Sequence, residues 1–301
     1  MKQLTLIIFI SSLYLSLNSQ TLESDTILAG QYMNEGKSLY AEYKLDEAFT
    51  MFGKARSIYS SRNLNELLLK CDLNRAGILI VKNEMNDALA ILNSGMSSIK
   101  SSKGENNALY VDYSDKKGLM YLYTGDYYEA QKIWIKTLII AKKVYGSEHV
   151  RVSDIDNNIG VLFSVKGEYF KALKLHQTAL EIREKKLPAD DLKIAVSLMN
   201  VGNMYAQTGN TDLALEYYLR SLKIKQQRLK SDDFGMASLY YHLGTVYHIQ
   251  GDNFKSVSYF EKSLNIRKKF LGDAHPKTAE VYAKLAELYN LKGKHYDKNR
   301  I

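Results

Sequence analysis

Proline and cysteine are almost absent from this sequence, with two prolines and one cysteine among 301 residues. Proline-rich segments act as semi-rigid spacers, so their absence favours a continuous folded body over domains joined by stiff linkers. A single cysteine excludes an intrachain disulfide, and packing must therefore stabilise the fold. Cys71 lies in the leucine-rich stretch 67-LLLKCDL-73, which predicts a buried thiol rather than a nucleophile.

Motifs for catalysis and metal binding are missing as well. The sequence contains no glycine-rich phosphate loop, no metal-spaced cysteine pair and no His-Glu-x-x-His motif. His242 and His248 are six residues apart, whereas two histidines that hold one metal on a helix are four apart. We therefore expect no catalytic residue, no metal site and no cofactor, and the chain is predicted not to be an enzyme.

Only one long apolar run occurs, from Leu4 to Leu17 after Met1-Lys2. A short basic start followed by roughly 7–15 apolar residues is typical of a secretory signal peptide, while a membrane span needs about 20. We predict a signal peptide at residues 1–19, cleaved after Ser19, with no membrane span afterwards; the alternative is an uncleaved anchor. The pattern resembles bacterial signal peptides in which glutamine opens the mature chain, as in many Bacteroidetes proteins. This implies a periplasmic or secreted bacterial protein.

A repeat of 42 residues occupies most of the remaining chain. Two columns of glycine and one of aromatic residues keep this step: Gly118, Gly160, Gly202 and Gly244; Gly125, Gly167, Gly209, Gly251 and Gly293; Tyr121, Phe163, Tyr205, Tyr247 and Tyr289. Self-similarity at a fixed period of this length indicates a repeat architecture in which each unit packs on its neighbours.

Each repeat reads as two helices joined by a turn. Leu198, Gly202 and Tyr205 fall at i, i+4 and i+7, so they share one helical face. A helical glycine costs about 1 kcal/mol relative to alanine, and we interpret Gly202 as a point of close approach by a neighbouring helix. Gly209 falls where this helix should end, because glycine tolerates the left-handed conformation of a helix terminus.

The repeat resembles the tetratricopeptide repeat (TPR), in its order of hydrophobic residue, glycine and aromatic residue, then a turn, then alanine, aromatic and small residues. The usual TPR period is about 34 residues. The longer period is similar to that of kinesin light chains, whose connecting segments match 146-GSEHVRV-152 and 272-GDAHPKT-278. His149 and His275 are three periods apart in these connections, which favours a structural role for both.

This resemblance implies an all-α, right-handed superhelical solenoid of antiparallel helix pairs. We expect residues 20–301 to form one TPR repeat domain of about six helix pairs, followed by an unpaired helix from about Lys277 to Leu291. The chain is then predicted to be a protein-binding or peptide-binding scaffold. A second hypothesis makes it the recognition arm of a larger enzyme, a CHAT-type protease or a sensor histidine kinase, whose catalytic domain would lie beyond Ile301.

In TPR proteins the first helix of each pair lines the binding groove. The resemblance places the following residues in a peptide-binding groove: Asn157, Asn158, Asn200, Asn203, Tyr241, Thr245 and His248. An amide both donates and accepts hydrogen bonds, which suits a peptide backbone; the alternative is that the asparagines bond to neighbouring helices. Asp112, Asp115 and Asp154 also map near the groove, which favours a basic or neutral peptide over one that ends in a carboxylate.

The chain is basic, with a formal net charge of +8. Its lysines and arginines recur near the predicted ends of the second helices, around residues 142–143, 183–186, 225–230 and 267–269. Such cations complement the negative end of a helix dipole, or they form an electropositive strip for an acidic partner. No nucleic-acid-binding motif occurs, so we expect no nucleic-acid partner. The sequence leaves the oligomeric state open.

Overall fold

A computed structural model describes the backbone of residues 23–298 and the side chains of residues 23–290. These residues form thirteen α-helices and no β-strand, which confirms the all-α prediction. The predicted signal peptide at residues 1–19 lies outside the described residues. No helix in residues 23–298 is long and apolar enough to cross a membrane.

The helices follow one another in pairs. The first members, here called A helices, are α1 (residues 23–41), α3 (Asn65–Val81), α5 (Ala108–Tyr123), α7 (Val150–Val165), α9 (Leu192–Gln207) and α11 (Ala237–Ile249). The second members, the B helices, are α2 (Leu45–Ser61), α4 (Met85–Lys103), α6 (Tyr127–Tyr145), α8 (Tyr169–Lys186), α10 (Thr211–Arg228) and α12 (Asn253–Leu271). A 3-10 turn at Phe234–Met236 precedes α11, and α13 (Pro276–Lys298) is a further A helix.

The described residues divide into two compact units, with the boundary between Ile133 and Trp134. In the first unit, α2 packs on α3, α3 on α4 and α4 on α5. In the second unit, α7 packs on α8, α9 on α10 and α11 on α12, and each of these B helices also packs on the A helix that follows. Helices α3, α4 and α8 to α12 therefore each pack between their two neighbours in the chain, as expected for a repeat array.

The first glycine column allows B-helix side chains to approach the A helices closely. A Cβ atom built on Gly202 would lie 2.8 Å from the ring of Tyr218 and 3.2 Å from the backbone oxygen of Ala214. Both distances are shorter than ordinary van der Waals contact. The same close approach recurs between Gly160 and His176 and between Gly244 and Phe260. The prediction that this glycine permits helix contact is confirmed.

The second glycine column supplies left-handed turns between A and B helices. Its members have φ between +78° and +84° at Gly125, Gly167, Gly209 and Gly251. An L residue with a side chain adopts this region at a cost of roughly 1–2 kcal/mol. The turn prediction is confirmed for these four positions. In the first unit, Asn63 and Asn83 take the same conformation, in keeping with the tolerance of asparagine for it.

Gly209→Ala should lower the free energy of unfolding by about 1–2 kcal/mol. Its φ is +84°, and an added Cβ would meet no atom within 4 Å, so the cost arises from the backbone alone. Urea unfolding followed by circular dichroism measures the change. Gly53→Ala is the matched control, because Gly53 lies inside α2 with equal space around it. That variant should gain up to about 1 kcal/mol, and two effects of the same sign would contradict the assignment.

The predicted end of the last helix near Leu291 is wrong, because α13 continues through Gly293 to Lys298. The residues after Gly293 include no proline, and a glycine inside a helix costs only about 1 kcal/mol relative to alanine. Glycine thus permits a left-handed turn without requiring one.

Cys71 is fully buried in α3, as the leucine-rich stretch around it predicted. Burial is the main cause that raises the pKa of its thiol to about 12. Because the thiolate is the reactive form, this thiol is unreactive at neutral pH.

A capping side chain at a fixed position of each connection between repeats precedes the next helix. This column consists of Asn107, His149, Asp191, Asp233 and His275. In each case a side-chain oxygen or nitrogen accepts a hydrogen bond from the backbone N–H two residues later, at 2.7–3.1 Å. These side chains satisfy backbone donors that have no partner within the helix. The predicted structural role of His149 and His275 is confirmed, and histidine and aspartate replace each other here because both accept at this geometry.

Candidate binding face of the A helices

In the second unit the A helices lie side by side, since α9 contacts both α7 and α11 and α11 bonds to α13. All seven predicted groove residues are on these helices: Asn157 and Asn158 on α7, Asn200 and Asn203 on α9, and Tyr241, Thr245 and His248 on α11. Asn157 is buried, and the other six are partly exposed. We call the surface formed by these residues, together with Asp154, Lys193, Glu280 and Glu287, the A-helix face.

Asn157 is held inside the protein by neighbours on both sides. Its Oδ1 accepts a hydrogen bond from Nδ2 of Asn200, at 2.8 Å, and lies 3.1 Å from Nδ1 of His176. Burial, followed by the charge of Arg183, lowers the pKa of His176 to about 4. His176 is therefore neutral at pH 7, and its contact with an acceptor oxygen assigns the proton to Nδ1. Asn157 links three helices, which is a structural role for one of the predicted groove residues.

Asn200 and Asn203 each use only part of their hydrogen-bonding capacity inside the protein. Nδ2 of Asn200 donates to Asn157, and Oδ1 of Asn203 accepts from the hydroxyl of Tyr218 at 2.7 Å. Within the described residues, no other hydrogen bond involves Oδ1 of Asn200 or Nδ2 of Asn203. The two residues are three apart on α9, so their side chains are neighbours on one helix face. This pair presents one acceptor and one donor group to a ligand.

The predicted residues on α11 are all engaged with other groups. The hydroxyl of Tyr241 donates to Oε1 of Glu280 at 2.9 Å, and Thr245 donates to the backbone oxygen of Tyr241. Nδ1 of His248 lies 3.2 Å from Oδ1 of Asn253, and its Nε2 lies 3.6 Å from Oε1 of Glu287. A ligand at this end of the face would have to displace these contacts or bind beside them.

Two acidic residues of the face, Glu280 and Glu287, were missed in the sequence. Both lie on α13 with about half of the side chain exposed. They stand 42 residues after Ser238 and Thr245, so extending the repeat columns into the last helix would have found them.

The acidic character expected from Asp154 is offset by three cations. Arg183 lies 2.8 Å, Lys193 2.9 Å and Arg151 3.0 Å from its carboxylate oxygens. Burial alone would raise the pKa of Asp154, but the hydrogen bond and charge of Lys193, then the charge of Arg183, outweigh it and hold that pKa below its usual value. This cluster carries net positive charge. Asp154 therefore does not favour a basic peptide.

Three residues of the predicted electropositive strip are buried inside the protein. Arg183, Lys225 and Arg267 stand 42 residues apart, and each is at most 5 % exposed. Each donates to the backbone oxygen ten residues later, in Lys193, Gly235 and Lys277. Other cations of the strip pair with acids of the connections, as Arg228 does with Asp190 and Lys269 with Asp232, both at 2.7 Å. Structural pairing accounts for these members of the strip.

Family models agree with this architecture. Two models described as tetratricopeptide repeat match the chain, one at residues 151–227 and 235–297 and the other at residues 115–151. Together they cover more than half of the sequence. The chain belongs to the tetratricopeptide repeat family. Among curated proteins, no sequence matches this TPR protein significantly.

Solved structures share the fold. The crystal structure of BtubC (BKLC) from P. vanneervenii has a TM-score of 0.56 at 19% identity, over 85% of this chain and 94% of that one. A putative kinesin light chain with nearly identical TPR-like repeats from Podosopora anserina has a TM-score of 0.53 at 16% identity, over 67% and 96%. In the APC/C hetero-tetramer Cut9-Hcn1, the values are 0.61 and 14%, over 86% of this chain and 42% of that one. These similarities support the TPR fold and the resemblance to kinesin light chains.

Proposed function

We propose that this TPR protein is a scaffold without catalytic activity of its own, and that it binds an extended segment of another protein along the A-helix face of its second unit. TPR repeats generally bind proteins or peptides. The described residues hold no group of three or more His, Cys, Asp or Glu side chains suited to a metal ion.

The unused hydrogen-bonding groups of Asn200 and Asn203 are the observation that carries this proposal. In a peptide in extended conformation, the backbone N–H and C=O groups have no hydrogen-bond partners within the peptide. Oδ1 of Asn200 can accept from such an N–H, while Nδ2 of Asn203 can donate to a C=O. Because Asn157 and Tyr218 hold the other halves of these amides, both side chains are fixed before a ligand arrives, and little conformational entropy is lost on binding.

Charge along the face suggests the direction of the bound segment. Arg151 and Lys193 lie at the α7 and α9 end with Asp154, and the side chain of Lys193 is 48% exposed. At the α13 end, Glu280 and Glu287 are already paired with Arg267 and Lys284, each at 3.2 Å. We propose that the segment places acidic residues near Lys193, because complementary charges set orientation and register.

We also propose that the protein acts outside the bacterial cytoplasm. The apolar run at the start of the sequence supports export of the protein to the periplasm or the cell exterior of a bacterium. Comparing the N-terminal residue and the location of the expressed protein tests this: a mature chain that begins near Gln20 in the exported fraction supports export, and an intact Met1 in the cytosol contradicts it.

The alternative function is that of a recognition arm of a larger enzyme, with catalysis by a domain beyond Ile301. The same face would then select the substrate or regulator of that enzyme. Reading the gene beyond the codon for Ile301 distinguishes the two functions directly, because a scaffold requires no further catalytic domain.

The double variant Asn200→Ala, Asn203→Ala should bind the partner at least about fivefold more weakly, since it removes two hydrogen bonds worth roughly 0.5–1.5 kcal/mol each. The partner is first isolated on the immobilised protein from an envelope and secreted-protein extract, and its binding segment is then synthesised for calorimetry. Gln226→Ala, on an exposed B-helix position, is the control and should bind normally. Equal affinity in a folded double variant would rule out the A-helix face as the binding site.

A further inference from the structure

A cleft of about 550 Å³ lies between the last two helices, α12 and α13. Its lining includes Glu261 and Leu264 of α12 and Tyr282, Ala286 and Tyr289 of α13. Tyr282 and Tyr289 are 40% and 46% exposed, so the cleft is open to solvent along α13. None of these residues belongs to the A-helix face.

The preceding repeat shows what covers this side of an A helix. Tyr240 and Tyr247 stand 42 residues before Tyr282 and Tyr289, and they are only 4% and 9% exposed. The B helix α12 covers both, since the ring of Tyr259 lies 5.9 Å from that of Tyr240 and stacks on that of Tyr247 at 5.6 Å. Within residues 23–298, no helix covers α13 in this way.

Ala286 restricts what can pack over the cleft. The same position holds Gly160, Gly202 and Gly244 in earlier repeats, where an added Cβ would lie 2.7–2.8 Å from a ring of the B helix. Ala286 carries this Cβ, so no ring can approach α13 as closely as Phe260 approaches α11. A covering helix must present a small side chain at this point, and Ala286 of a second copy of the chain meets that requirement.

The aromatic residues around Ala286 are arranged in the same way in both chain directions. Tyr282 comes four residues before it and Tyr289 three residues after it, so all three share one side of α13. If two copies pack with their α13 helices antiparallel around Ala286, Tyr282 of each copy lies opposite Tyr289 of the other. The face is therefore self-complementary, as a twofold interface requires.

Charges on α12 complement each other in the same arrangement. Glu261 lies at the Tyr289 end, where its Oε1 accepts from the tyrosine hydroxyl at 2.9 Å. Lys268 lies at the Tyr282 end, with Nζ 5.9 Å from the ring centroid. Antiparallel packing thus brings Glu261 of each copy towards Lys268 of the other. In the described part of the chain Glu261 has no ion pair, and Lys268 pairs with the exposed Asp273 at 3.2 Å, a surface pair of little energetic value.

We propose that this cleft is a dimer interface, in which two copies of the chain pack α13 against α13 in antiparallel orientation about a twofold axis. Few large side chains meet there, so the dimer is weak, with a Kd on the order of 10 µM. The interface is independent of the A-helix face. A dimer would carry two such faces and bind a partner with two copies of the recognised segment more tightly than a monomer does.

Sedimentation velocity of the purified chain tests the dimer. We expect mostly monomer at about 1 µM and mostly dimer at about 200 µM, as a Kd in this range requires. A monomer throughout this range would overturn the proposal and leave the cleft to a helix of another protein.

Variants at the cleft locate the interface. Ala286→Glu, an exposed change, brings two like charges together where the helices cross and should weaken the dimer at least about tenfold. Tyr289→Ala should weaken it at least about fivefold, whereas Tyr128→Ala, which removes a 75% exposed tyrosine from α6, is the matched control and should dimerise normally. An unchanged dimer in Ala286→Glu would contradict the proposal. So would loss of the dimer in the double variant Asn200→Ala, Asn203→Ala, because that would place the interface on the A-helix face.

Charge reversal tests the antiparallel orientation. Glu261→Lys alone and Lys268→Glu alone each place like charges opposite each other and should weaken the dimer about fivefold at low salt. An equimolar mixture of the two variants restores both opposite-charge pairs across the axis and should associate about as well as the original chain. A mixture that associates no better than either variant alone would rule out this arrangement.

Discussion

Arg183→Ala should lower the free energy of unfolding by about 3–5 kcal/mol, the usual cost of removing one partner from a buried ion pair. The side chain of Arg183 is only 5% exposed. Its guanidinium donates to Oδ1 of Asp154, to the hydroxyls of Ser153 and Ser197 and to the backbone oxygen of Lys193. Alanine would remove the donor to the two hydroxyls and the backbone oxygen, would leave Asp154 with only Lys193 and Arg151, and would open a cavity. Urea unfolding followed by circular dichroism measures the loss.

Two further variants separate charge from hydrogen-bond geometry. Arg183→Lys should cost less than alanine, because Lys225 occupies this column in the next repeat and still bonds to the backbone oxygen of Gly235. It should still be destabilising, since lysine lacks the planar fork that reaches several acceptors at once. Lys223→Ala, an exposed change on α10, should alter stability by less than about 0.5 kcal/mol. A loss below about 1 kcal/mol for Arg183→Ala would refute the structural role assigned to it.

Tyr218→Ala should lower the free energy of unfolding by about 3–5 kcal/mol, as expected when a large buried aromatic residue is truncated. Tyr218 is 1% exposed, lies against Gly202 and stacks on His242 with ring centroids 5.7 Å apart. The glycine leaves space for this ring, so its removal would leave a cavity that the rigid helix pair cannot close. Hydrogen exchange should show the loss of protection in α9 and α10 first, since neighbouring repeats contact only each other.

Tyr218→Phe is the control for this variant, because it keeps the ring and removes only the hydroxyl. It should cost about 1 kcal/mol, the usual net value of one hydrogen bond. Phe260 already occupies the same column one repeat later, so the ring alone is compatible with the fold. Equal losses in the phenylalanine and alanine variants would show that the bond to Asn203, and not the packing of the ring, stabilises this repeat.

Much of the fold could be predicted because the same type of residue recurs at the same position of successive repeats. Gly209 recurs where a left-handed turn is needed, and Gly202 recurs where a ring approaches the helix. The end of α13 could not be predicted this way, because Gly293 shares its column with the turn glycines and yet lies inside a helix. Glycine permits both conformations, so only the surrounding structure selects one.

The candidate site was less predictable than the fold. The positions of the asparagines on the A helices followed from the repeat, but the partner of each amide did not. Asn157 is buried between helices, whereas Asn200 and Asn203 retain free hydrogen-bonding groups. The three residues are of the same type, and they differ in what other residues place opposite them. Asn157 faces His176 of α8 and Asn200 of α9, whereas Asn203 faces Tyr218 of α10.

The sequence by itself determined the period, the helix pairs, the turns and the capping positions, since these depend on backbone preferences and on contacts between neighbouring residues. Only the tertiary structure decided which charges are buried and which groups are free to bind a partner. Arg183 and Lys185 look alike in the sequence, yet one is buried between helices and the other lies in solvent. Burial and pairing depend on what the adjacent helices place opposite each side chain.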